Sequence, residues 1–87
     1  MDTMAQQISE VESVINSLNE IQEDATVPRN VRTHIQNIVT TLRTETELPI
    51  KINKALNGLD ELSSDVNLES YTRTQIWNIM SALEKFH

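Results

Sequence analysis

The side chains able to do chemistry in this 87-residue chain are few, and their spacing serves catalysis poorly. His34 and His87 are the two imidazoles, and no His-x-x-x-His pattern sets two ligands on one helical turn. A lone histidine at a helix boundary is an ordinary packed or surface residue before it is a base. Cysteine is absent, which removes thiolate metal sites and disulfides together. No serine stands in a nucleophile elbow or three residues before a lysine. The carboxylate pairs Glu45/Glu47 and Asp60/Glu61 fall in an expected loop and on a solvent face. Neither place offers the enclosed surroundings that acid–base catalysis by a carboxyl group needs. With one glycine, Gly58, there is no phosphate-cradling loop either. The expectation is a protein without enzyme activity, cofactor, metal or small-molecule substrate.

The chemistry that the residue types do support is recognition. Two Asp/Arg pairs, Asp24 with Arg32 and Asp65 with Arg73, recur at the same spacing. Each could close a bidentate bridge across a tight turn and fix the angle between two helices. Two further stretches, 33–42 and 74–83, contain no Asp, Glu, Lys or Arg. A solvated helix face ordinarily carries Lys and Glu, whereas interfaces are depleted in them and enriched in Trp, Tyr, Met and Arg. The candidate surface is therefore Trp77, Asn78, Thr74, Ser81 and Met80, with Thr33, Asn37 and Gln36 as its counterpart. Two roles stand open for it: burial, with Thr/Asn hydrogen bonds crossing between the second and fourth helices and the Trp77 indole in the core, or docking of a partner.

The elements that position these residues follow from apolar spacing, which is helical throughout. Met4, Ile8, Val11, Ile15, Leu18 and Ile21 make one stripe along a helix of about residues 3–22. After "EDATV", Pro28 suits the first turn of a second helix with Val31, Ile35, Ile38 and Leu42 inward and Val39 at the flank. "RTETEL" breaks it, and Pro49 repeats the start signal. Ile52, Ala55, Leu56, Leu59 and Leu62 form the third stripe, in which Gly58 points to close helix packing. "SSDVN" ends that helix, Asn67 is the expected N-cap of the last, and Thr72, Ile76, Ile79, Leu83 and Phe86 line it with Met80 beside them.

The chain also repeats itself. A shift of 41 residues superposes Leu18 on Leu59, Glu20 on Glu61, Asp24 on Asp65, Arg32-Thr33 on Arg73-Thr74, Ile35 on Ile76, Asn37-Ile38 on Asn78-Ile79 and Leu42 on Leu83. Amphipathic helices share leucines by chance, but not an Asp, an Arg-Thr and an Asn in register. The fold expected is all-α: one domain over residues 1–87, an antiparallel four-helix bundle of two tandem hairpins at about 4–43 and 49–86.

"DATVPRNVRTHIQNI" and "TRTQIWNIMSALE" resemble the two signature stretches of uncharacterised protein family 0147, small archaeal proteins. The resemblance runs from about Ile15 to Lys85 and implies a compact four-helix bundle of archaeal, cytoplasmic origin. It implies no activity and transfers no catalytic residue. A weaker similarity links the hairpins to HEAT-type repeats. The second copy departs from that pattern, with Glu69 in place of Pro28 and Thr72 in place of Val31. A closed bundle is expected, with a two-repeat solenoid as the alternative.

Net charge bounds the partners. At −6, with a pI near 4.7, the chain opposes non-specific nucleic-acid binding. Residues 1–28 hold six acids and no base, while Arg29, Arg32, Arg43, Lys51 and Lys54 cluster beyond them. A small domain buries only about 60–65% of its extended surface, so a partner would add stability. No apolar run reaches the ~18 residues of a membrane span, and a cytoplasmic location is expected. The reading is a helical interaction module that forms a homodimer or docks a protein. The alternative is an accessory factor of a nucleic-acid complex that uses the five basic residues.

Overall fold

A computed structural model describes residues 3–85, with side chains from residue 9 onward. Met4, Ile8, Phe86 and His87 lie outside those described side chains. Four helices follow in order: α1 (Thr3–Glu23), α2 (Arg29–Arg43), α3 (Leu48–Ser63) and α4 (Ser70–Glu84). Two starts differ from the sequence reading. Pro28 is the residue that precedes α2, with φ −58° and ψ 149°, so its ring sets the approach to the helix and its carbonyl accepts from the Arg32 N–H. Glu69, not Asn67, precedes α4, and the Asn67 N–H is held in the turn by the Asp65 carboxylate at 2.9 Å. Pro49 does stand in the first turn of α3.

The helices close a ring. Each packs on its chain neighbour and α4 returns to α1, while the diagonal pairs α1–α3 and α2–α4 do not meet among the described residues. Closure of this kind makes a bundle about 41 Å long and 19 Å across and excludes the solenoid alternative. The expected stripes are its core: Ile15, Leu18, Ile35, Leu42, Ile52, Leu59, Ile76 and Leu83 lose essentially all exposure. Burying each such side chain contributes about 1.5–3 kcal/mol before chain entropy is set against it. Val14, Val27 and Leu68 also join the core. The last two are repeat twins that plug the α1–α2 and α3–α4 turns from inside.

Gly58 sets the seam between α2 and α3. A Cβ there would stand 3.0 Å from Ile38 Cγ1, tighter than ordinary contact, so glycine lets the two helices approach this closely without displacing Ile38. Its repeat twin on the α4–α1 seam is Ser17, opposite Ile79. Among the described residues that seam is the most open of the four, and a groove of about 490 Å³ runs along it over Val14, Ile21 and Ile79.

Candidate interaction surface

The inward stripe of α4 (Thr72, Ile76, Ile79, Leu83) turns Thr74, Trp77, Asn78 and Ser81 outward, and all four are exposed. Trp77 keeps 54% of its surface open to solvent, so it is not a core residue. Met80 is half-buried against the core and offers only its edge to this face. Arg73, one turn before Trp77, reaches the end of α3, whereas Asn78 lines the α4–α1 groove. The face therefore spans α4 from one seam to the other.

Thr33, Gln36 and Asn37 are exposed in the same way on α2. Since α2 and α4 are diagonal in the ring, the two faces point away from each other and make two surfaces rather than one. Hydrogen bonds between α2 and α4 are correspondingly replaced by bonds inside each helix. The hydroxyls of Thr40, Thr41, Thr44 and Thr74 each donate to the carbonyl four residues back, at 3.0, 3.0, 2.9 and 3.0 Å.

The turn bridges also take another form. Arg73 does tie its turn, but through backbone carbonyls: Nε donates to Ser63 O at 3.0 Å, and one terminal nitrogen to Asp65 O at 2.9 Å and Leu68 O at 3.2 Å. The carboxylates are occupied locally, because each aspartate caps its own turn. Asp24 accepts from the Thr26 hydroxyl at 2.7 Å and the Thr26 N–H at 2.9 Å, and these two bonds hold its carboxyl below the ordinary value. Asp65 accepts from Asn67 N–H. In the first hairpin the cross-tie is Gln22, whose amide donates to Arg32 O at 3.2 Å and to Gln36 Oε1 at 2.9 Å. Arg32 itself has a buried Nε without a partner. Sequence reasoning passed over Gln22. The signal for it was the mismatch with its repeat twin Ser63 inside an otherwise matching stretch.

The remaining candidates disperse. His34 is half-buried beside Gly58 on the α3 side of α2. Arg32 lies on the opposite side of α2, the one that faces Gln22, while Lys51 and Lys54 share the Gly58 flank of α3. The five basic residues thus sit on both sides of α2 and form no single strip. Glu84 and His87 stand at Glu-x-x-His spacing, with His87 beyond the described residues. Among the described residues, no three of His, Asp and Glu gather as a metal site, and no helix is long and apolar enough to cross a membrane.

A ring of two helical hairpins with paired turns, whose second and fourth helices carry no Asp, Glu, Lys or Arg over 33–42 and 74–83, defines the class. The chain belongs to the uncharacterised protein family UPF0147, whose model matches residues 1–86. A crystal structure described as that of "unknown function protein MMP1188" is 42% identical, covers 86% of each chain and superposes with a TM-score of 0.83. No curated protein matches the chain.

Proposed function

We propose that the protein is a non-enzymatic interaction module of the archaeal cytoplasm that pairs with a second copy of itself through the outer face of α4. The observation that carries this is Trp77, a half-exposed indole within a stretch of α4 that has no charged side chain between Thr74 and Leu83. An exposed tryptophan ringed by Thr, Asn and Ser has the composition of an interface centre, where a few aromatic anchors supply most of the affinity. A two-fold contact sets the same patch against itself. With no acidic side chain between Thr74 and Leu83, two acidic molecules can meet there without setting carboxylates opposite each other. The face of α2 has the same polarity but Gln36 where α4 has Trp77, so it lacks the anchor.

Light scattering across a concentration series tests this. The wild type is expected to move from 9.9 kDa towards twice that mass, with Trp77 emission shifting to the blue. Trp77→Ala is expected to weaken association at least about thirtyfold, the effect of losing a hot spot worth about 2 kcal/mol. A wild type that stays monomeric at every concentration, with emission typical of a wet indole, would discard the reading.

A further inference from the structure

The two copies of the repeat spend the same arginine differently, and the difference leaves a binding site. Arg73 is saturated: its guanidinium donates to three carbonyls that close the α3–α4 turn. The corresponding carbonyls of the first hairpin belong to Gln22, Asp24 and Val27. There the Gln22 side chain joins α1 to α2. Arg32 is thereby released from structural duty, and its Nε is buried with no acceptor. A desolvated cationic donor left unpaired is costly, and it is relieved when the guanidinium turns towards an acceptor in the depression that Arg32 lines.

The surroundings name the acceptor. Arg32 helps line a depression of about 400 Å³ together with Arg29, Gln22, Thr33, Gln36 and Asn37. No carboxylate is among them. Two arginines border it beside the Thr33 hydroxyl and the Asn37 amide, while the Gln22 amide is spent on Arg32 O and Gln36 Oε1; the fork of an arginine matches the edge of a tetrahedral oxyanion. We infer that this depression binds an anion of the phosphate class, with Arg32 and Arg29 as its principal contacts and Thr33 and Asn37 at its rim. The net charge of −6 does not oppose this, because the acids of residues 1–28 do not line the depression. The site lies on α2, apart from the Trp77 face of α4, and stands whether or not the protein pairs.

Arginine Nε–Hε resonances of the ¹⁵N-labelled protein provide the test, with sodium phosphate titrated against sodium chloride at matched ionic strength. Expected is a saturable shift of the Arg32 resonance with phosphate alone. The Arg73 resonance should be protected throughout and unmoved. Arg29→Gln, a change at an exposed position, is expected to weaken the binding about tenfold, the effect of one charge-assisted bond. Arg32→Lys should abolish the saturable response while the helical circular dichroism is kept. Titrating a nucleoside monophosphate beside a dinucleotide then separates a terminal phosphate dianion from a diester, and a preference for either identifies what carries the group. A response no different from that to chloride, or a saturable response that persists in Arg32→Lys, overturns the site.

Discussion

Arg32 and Arg73 are identical residues at twin positions, yet they do different work, and stability measurements should separate them. Arg73→Ala removes three hydrogen bonds from a cationic donor to carbonyls that end α3 and line the turn. Such bonds contribute about 1.5–3 kcal/mol each in favourable settings, and they are not additive when made by one group. A loss of about 2–4 kcal/mol is expected, which in a domain this small lowers the melting temperature by about 10 °C or more. Arg32→Ala removes a guanidinium whose Nε has no partner, so its cost should stay within about 1 kcal/mol. Thermal melts of the two variants side by side decide the matter; equal losses would mean that both arginines hold their turns.

At the scale of elements, the informative contact is Gly58 against Ile38. Glycine inside a helix costs about 1 kcal/mol relative to alanine, so Gly58→Ala would ordinarily stabilise α3. Here the new methyl would meet Ile38 Cγ1 at 3.0 Å and Cδ1 at 3.2 Å, on a buried side chain that must shift by a few tenths of an ångström within the packed core to admit it. Net destabilisation of about 1 kcal/mol is expected. Adding Ile38→Val should then cost less than it does in the wild type, and denaturant midpoints of the four proteins of this cycle measure that coupling. Additive effects would show that the seam has room to spare. Much of this level was legible in the sequence: the apolar spacing gave all four helices and their inward faces, and Gly58 alone signalled a close seam. Other features lay beyond it. Asn67 and Asp24 have the side chains of caps and bridges, but short polar groups serve their own turns first, as the bonds of Asp24 to Thr26 and of Asp65 to Asn67 do. Spacing alone could not rank those local bonds against longer ones. Nor could it place α2 and α4 on a diagonal, because the order of helices round the ring is set by which seams pack, not by any one helix.

For the molecule as a whole, the four seams are unequal. Among the described residues the α2–α3 seam is the tightest and the α4–α1 seam the most open, with the groove along it floored by Val14, Ile21 and Ile79. Helices 1 and 4 are also the pair that no loop connects in this ring. Local opening follows the weakest packing, so amide exchange should be fastest on the facing sides of α1 and α4 and slowest on α2 and α3. Hydrogen-exchange mass spectrometry with peptides resolving the four helices checks this order. Uniform protection across all four would mean that the open seam costs nothing in cooperativity.

The 41-residue offset has a practical consequence for anyone who alters this chain. Most positions from 11 to 44 have a counterpart in the same molecule, at the same depth, under the same buffer and temperature. Gln22 beside Ser63, Gln36 beside Trp77 and Ser17 beside Gly58 are already three natural swaps, made in one copy and withheld from the other. Exchanging the members of each couple reads out what its neighbourhood contributes, with the other half of the chain serving as the untouched reference.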